Sequence, residues 1–446
     1  MDNIPHIVVI DSPTGSGKTS WAIDMISKLP DDKNVLYITP YILEVDRIIA
    51  SCPNKHLVQP KKWSGDGSKM NHLVELVSQK RNIVSTHALL QNISDELINL
   101  LRNNDYILVL DESFQVVQQY DLFPELKKMS KEERENITKS DVQWLFDEKY
   151  IEVTDNFAIR WIDQNKMIGS KYDKLKSLID RDMIYLVNNS LFLWTFPYEV
   201  FGEGIFKQCY IMTYLFESQF QHYYYQYFNI KYKKYHIESK ANKYKMVETI
   251  NNQYDIDFRE RASKLITIID NDKINRIGSF YRDIHGKVKT TDLSMNWYKN
   301  NEHLHKQLSL NVYNYFKNIS KSKANKRLWT VFKDFKKLIK NPLTTSHGFL
   351  EITARATNNY NDRNVLAYLI NRYPNSFYIA FFSKRGIIID SDLYALSDLI
   401  QWVWRSAIRN DNPITLYIPS ERMRNLFLNF LQNKKIINYE DFDYED

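Results

Sequence analysis

Cysteine is nearly absent from this chain: 446 residues hold only Cys52 and Cys209. Two thiols make neither a disulfide framework nor a zinc site, so the sequence points to a reducing, cytoplasmic setting. No apolar run approaches the roughly 18 residues of a membrane span, and no stretch reads as a signal peptide, so no membrane partner is expected. Gly/Pro/Ser linkers, low-complexity tracts, internal repeats and nuclease signatures are missing too. Neither sign of charge dominates, with 60 basic residues against 54 acidic ones and a net charge of +6. That excess permits a polyanionic partner without requiring one.

What the chain has in quantity is aromatic residues: 30 Tyr, 23 Phe and 9 Trp. Coding bias and base-stacking platforms both give such a content, and composition does not separate them. Length bounds the organisation: at roughly 100–200 residues per domain, two or three domains are expected.

The stretch "IVVIDSPTGSGKTS" (Ile7–Ser20) carries the first chemistry. "HIVVID" is a short apolar, β-branched run and reads as a buried parallel strand. After the small-residue loop, Ala22, Met25, Ile26 and Leu29 recur at helical spacing, with Pro30 as a stop. Strand, Gly-rich loop and helix in that order make a phosphate-binding loop. Gly15 and Gly17 let backbone N–H groups turn inward, and the helix adds its positive end. Gly15, Ser16, Gly17, Lys18, Thr19 and Ser20 are therefore the candidate nucleotide-binding residues. Lys18 would reach the β- and γ-phosphates, and the Thr19 hydroxyl would ligate Mg²⁺. Ser12 stands where the first Gly of such loops is usual.

Three more strands end in polar clusters. "NVLYITP" ends in Thr39 and Pro40, "NIVSTHALL" carries Ser85, Thr86 and His87, and "YILVLDES" ends in Asp111 and Glu112. Ligands of open α/β sheets collect at the carboxyl ends of strands, so all three clusters are expected beside Lys18. Downstream of a phosphate loop, a strand ending in Asp–Glu supplies a metal ligand, Asp111, and a group that orients water, Glu112.

In the second half, "RLWTVF", "SHGFLEIT" (Ser346–Thr353), "SFYIAFF" (Ser376–Phe382) and "ITLYIP" read as strands with helical patterns between them. They describe a second parallel α/β unit without a phosphate loop of its own. In "SDLIQWVWRSAIR" (Ser397–Arg409), Gln401, Arg405 and Arg409 step by only about 40° each around a continuous helix and share one face. Between Asp111 and Met212 lies about twice the sequence that one βα step needs, and the excess, 118–203, is charged and helical in pattern.

"SPTGSGKT" with "DES" resembles motifs I and II of superfamily 2 helicases and translocases. "ITPY" and "STHALL" look like the segments of that family that touch the nucleic-acid backbone. "IMTYLFE" looks like motif III, in which Thr213 would couple ATP state to strand grip. "SDLIQWVWRSAIR" is similar to motif VI, whose Gln and Arg residues reach across to the γ-phosphate. Trp404 replaces a usual Gly there, and Arg409 lies one residue late. "EITARATNNYNDRNVLAYL" looks like motif V in a form found in phages and mobile elements of low-GC bacteria, with Thr353, Arg355 and Asn358 near the nucleic acid or the cleft.

The resemblance implies an α/β protein of two RecA-like parallel-sheet domains, with a helical insertion in the first. Their expected limits are 1–228 and 229–430, followed by an acidic tail at 431–446. It further implies ATP and Mg²⁺, with Lys18, Glu112, Gln401, Arg405 and Arg409 as catalytic residues and Thr19 and Asp111 as metal ligands. Thr39, Pro40, Ser85, Thr86, His87, Thr353 and Arg355 would contact single-stranded or forked nucleic acid, DNA favoured over RNA. A replication protein is a further expected partner. An ATP-gated clamp that separates no strands, and a small-substrate kinase, are the alternatives that the motifs leave open.

Overall fold

A computed structural model describes residues 6–62, 67–91, 93–155, 157–163, 169–202, 204–241, 243–282, 286, 288–352 and 359–434. Strands β1 (Ile7–Asp11), β2 (Asn34–Thr39), β3 (Ile83–Thr86) and β4 (Tyr106–Asp111) are almost wholly buried. Such continuous apolar runs suit a parallel sheet that is covered on both faces. The chain then enters the insertion, with β5 (Val117–Gln119), β6 (Ile151–Val153), β7 (Ile159–Trp161), β8 (Ile184–Val187) and β9 (Ser190–Trp194). It returns through β10 (Gln208–Thr213), β11 (Lys233–Lys240) and β12 (Lys243–Glu248).

Among the described residues, the first sheet has the order β12-β11-β1-β10-β4-β2-β3. Every pairing in it is parallel except β11 with β12. The phosphate loop leaves β1 and the Asp–Glu pair ends β4, with only β10 between them. The expected boundary at 228/229 is displaced by this sheet. Nothing in the sequence of β11 says which sheet it joins, and the pairing Val8↔Lys233 to Ile10↔Tyr235 assigns it to the first.

The insertion is not helical throughout. Helices Lys131–Asp147 and Asp173–Asp180 are present, the first with a Ser130/Glu133 capping box. Beside them stand the antiparallel sheet β5-β9-β8 and the pair β6-β7. These strands have only three to five residues, too few for alternation to emerge from the charged pattern around them. Their packing gives the insertion a core of its own around Leu145, Trp161, Leu175 and Ile184.

Strands β13 (Ile266–Ile268), β14 (Tyr281–Arg282), β15 (Val288–Lys289), β16 (Arg327–Thr330), β17 (Val365–Tyr368) and β18 (Ile414–Tyr417) follow. A parallel second sheet runs β13-β18-β17-β16. Two expected strands are absent from it. At 346–352 the chain makes a short 3₁₀ turn and touches the sheet through the single bridge Trp329↔Phe349. Ser376–Ser383 is a helix, capped by Asn375, and its aromatics find partners that the local sequence does not name. Phe381 stacks on Phe192 of β9 with centroids 3.6 Å apart, and Phe381, Phe382 and Ile389 belong to the first lobe's core.

Candidate functional site

The phosphate loop folds as its residues require. Gly15 (φ 88°) and Gly17 (φ 92°) adopt the left-handed conformations that open the loop's N–H groups. Helix Lys18–Ser27 starts without a side-chain cap and has no acidic residue in its first turn. Helices Lys69–Ser78, Asp95–Asn103 and Lys131–Asp147 are instead capped by Ser68, Ser94 and Ser130. Other helices, Ile42–Ser51 among them, also lack a side-chain cap; here the open end adjoins the glycine loop, where its partial positive charge suits an anion. Ser16 Oγ is buried without a hydrogen-bond partner among the described residues. Ser12 is fully buried, and its Oγ accepts the Ile237 N–H of β11 at 2.8 Å. The departure from Gly at this position thus ties the loop to the neighbouring strand.

Lys18 Nζ donates to the Ser12 and Pro13 carbonyls at 2.5 and 3.1 Å, folded over the loop it springs from. Burial lowers its pKa, opposed by the negative field of Glu112, Asp111 and Asp11. Asp111 is pushed up to about 7, chiefly by burial and then by repulsion from Glu112. Glu112 sits at φ 74°, a left-handed conformation that costs an ordinary residue energy and recurs at functional sites. Its N–H is held by Met212 O of β10 at 2.9 Å.

These groups line one cleft of about 400 Å³, and residues of the second lobe close it. Helix Ser391–Val403 ends before Arg405, which is 7% exposed, and a 3₁₀ turn Ala407–Asn410 follows. The continuous helical face expected for Gln401, Arg405 and Arg409 therefore does not exist. Arg405 and Arg409 both line the cleft nonetheless, one in the turn after Val403 and one in the 3₁₀ turn that follows. Burial lowers the pKa of Arg409. Gln401 remains on the helix, half-buried, outside the cleft lining.

The expected nucleic-acid contacts divide. Pro40 lines the same cleft as Lys18 and Asp111. Thr39 is fully buried with its hydroxyl unpartnered among the described residues, and Ser85 is 4% exposed, so neither offers its side chain to a surface ligand in this conformation. Thr86 is half-buried. His87 Nε2 donates to Asp111 O at 3.1 Å and its ring lies against Phe114, 4.6 Å between centroids. The imidazole thus braces the backbone of the Asp–Glu pair. Thr213 is fully buried at the end of β10, and its carbonyl accepts the Ser12 N–H at 3.0 Å. That places the expected coupling residue at the root of the phosphate loop. Thr353, Arg355 and Asn358 lie outside the described residues, as does the tail from 435 onward.

Glu44, Arg47, Tyr244 and Asn410 also line the cleft and were not expected from the sequence. Glu44 and Arg47 pair at i,i+3 on helix Ile42–Ser51, which begins right after the Thr39–Pro40 cluster. Their proximity to that cluster was the one available signal.

A family model described as the YonV C-terminal Rossmann-like domain matches residues 260–431, and one described as the YonV middle domain matches 132–194, inside the insertion. A curated relative, the SPbeta prophage-derived uncharacterized protein YonV of Bacillus subtilis (strain 168), is 36% identical over 438 residues. The match spans 96% of this chain and 100% of the relative. Among solved structures, an apo XPD superposes with a TM-score of 0.51 at 11% identity, covering 97% of this chain and 96% of that one. S. tokodaii Xpd4 follows with a TM-score of 0.48 at 15% identity, over 96% and 94% of the two chains. The likeness to the apo XPD structure is one of fold: two RecA-like lobes, as the motif order implied.

Proposed function

This chain belongs to the family of the prophage protein YonV, and from its cleft we propose an ATP-driven nucleic-acid motor, a superfamily 2 helicase or translocase. One observation carries the proposal. Arg405 and Arg409, from the second lobe, line the same cleft as Lys18, Thr19, Asp111 and Glu112 of the first. A cleft completed by both lobes makes their closure depend on what lies between them.

The roles follow from chemistry. The loop's N–H groups and the free helix end would hold the β-phosphate, and Lys18 would leave its two carbonyls for the β- and γ-oxygens. Thr19 and Asp111 supply the hard oxygen donors that suit Mg²⁺, which would neutralise phosphate charge. Glu112 would orient the attacking water, and Arg405 would stabilise charge on the transferring phosphoryl group. Loss of the γ-phosphate removes the ligand shared by both lobes, and their grip on a strand changes. Single-stranded or forked DNA is the proposed track; the prophage origin of the relative supports DNA over RNA.

The test is ATP turnover with and without single-stranded oligonucleotide. Wild type is expected to be stimulated. Lys18→Ala and Arg405→Ala are expected to lose turnover, Arg405→Ala by about 10³–10⁵, the range for a removed arginine finger. Turnover indifferent to both oligonucleotide and Arg405 would sink the motor.

A second reading is favoured by helix Ser376–Ser383, which packs into the first lobe's core and ties the lobes together. Such a tie suits an ATP-gated clamp. Binding that depends on ATP, with no strand released from a forked duplex, would select it.

A further inference from the structure

We infer that Tyr244 is the base-stacking residue of the nucleotide cleft, an assignment that rests on the nucleotide reading above. Among the described residues that line the cleft, Tyr244 is the one aromatic side chain. It belongs to β12, at the edge of the first sheet, and reaches the cleft because the β11–β12 hairpin overhangs the strand ends. Pairing of β11 with β1 stops at Ile10↔Tyr235, and Ile237 donates its N–H to Ser12 of the phosphate loop. The hairpin continues past that point, and Tyr244 lies opposite Ser239 in the antiparallel register. The ring comes to rest against Gly17, where a β-carbon would collide with it. Gly17 thus serves two needs, a left-handed φ and room for an aromatic face beside the loop.

Strand order gives the orientation. Asp111 and Glu112 lie on one flank of the loop, across β10, and Tyr244 lies on the other, across β11. A nucleotide with its γ-phosphate at Glu112 and its β-phosphate in the loop must send its sugar and base away from β4. Tyr244 is what the cleft offers there. The competing space is an adjoining cavity of about 150 Å³ beyond Thr14 and Gly15, walled by Phe258 and Trp404 and flanked by the Arg261–Asp411 ion pair. It shares Thr14, Gly15 and Arg409 with the cleft, lies on the side of the second lobe rather than of β12, and is the alternative that Arg261→Ala separates from Tyr244.

Calorimetric binding of ATP and of inorganic tripolyphosphate, each with Mg²⁺, to the full chain separates base from phosphate recognition. Tyr244→Leu keeps apolar bulk against Gly17 but has no π-face. It is expected to weaken ATP about 5- to 150-fold, the span corresponding to about 1–3 kcal/mol of base–aromatic stacking. Tripolyphosphate binding is expected to stay within about twofold by the same reasoning, and to show that the variant is folded; Tyr244→Phe is expected to match wild type for both ligands. Equal weakening of both ligands by Tyr244→Leu would reduce the residue to a support for the loop and overturn the assignment. So would no effect on either ligand, or a selective loss of ATP in Arg261→Ala instead. Wild-type protein that binds neither ligand would overturn the nucleotide reading itself, and this assignment with it.

Discussion

The side-chain amide of Gln219 joins the two lobes: its Nε2 donates to Ser397 Oγ at 3.1 Å, and its Oε1 accepts from Ser113 Oγ at 3.1 Å. Ser113 directly follows Asp111–Glu112, and Ser397 lies on the helix that leads to Arg405. One amide therefore reads both halves of the cleft.

Gln219→Ala is expected to leave basal ATP turnover close to wild type and to cut its stimulation by oligonucleotide. The size expected is about 2- to 30-fold, matching the roughly 0.5–2 kcal/mol by which linking residues modulate coupling. Turnover measured with and without oligonucleotide checks it. Unchanged stimulation would make the amide a local brace.

Asp111 gives a pH dependence whose sign is fixed by its raised pKa. The folded value, about 7, lies above the ordinary 3.8, so the folded state holds a proton that the unfolded state has released. Stability from this residue is thus expected to fall as pH rises from about 4 to 7, and to be flat above. In the ligand-free protein, Asp111→Asn should therefore raise the Tm, by an amount that grows with pH across that window. Mg²⁺-nucleotide binding needs the carboxylate, so wild-type affinity is expected to rise with pH up to about 7. Thermal melts and titrations between pH 5 and 8 check both trends.

Beneath the helix that leads to Arg405, Arg422 and Asp392 form an ion pair with both side chains almost fully buried. Arg422 also donates to Asn371 Oδ1 at 2.9 Å and to the Ser391 carbonyl at 3.1 Å. Arg422→Ala removes the buried cation from beside Asp392 and is expected to cost about 3–5 kcal/mol in chemical denaturation. A loss below about 1 kcal/mol, the range of surface pairs, would show that water reaches the site.

The tie between insertion and second lobe rests on Phe381, stacked on Phe192 and covered by the Arg385 guanidinium 3.7 Å above its ring. Phe381→Ala is expected to cost about 3–5 kcal/mol, as buried aromatic truncations do. If the tie limits lobe opening, the variant is also expected to cleave faster in limited proteolysis of native protein. Equal cleavage rates would assign the ring to stability alone.

Local signals were legible wherever chemistry and chain neighbourhood coincide. Strand, glycine loop and helix are consecutive in Ile7–Ser27, so the phosphate loop could be read directly, and so could the apolar strand ending in Asp111–Glu112. Arg405 lines the cleft as its motif implies, but the fold brings it there by a different route. A continuous helix would place it by angle, whereas the helix stops at Val403 and the turn after it carries the guanidinium to the cleft. Ser376–Ser383 looked like a strand because its aromatic run carries no helical stripe; the rings of β9, nearly two hundred residues earlier, make it a helix packed against the first lobe.

The sequence by itself determined that strand, glycine loop and helix follow one another in Ile7–Ser27, because backbone conformation and helix polarity are local properties. Only the tertiary structure decided that Tyr244 overhangs the loop, that Gln219 meets Ser397, and that Arg405 and Arg409 face Lys18. Those meetings depend on strand order and on how two sheets pack, and no spacing along the chain encodes either.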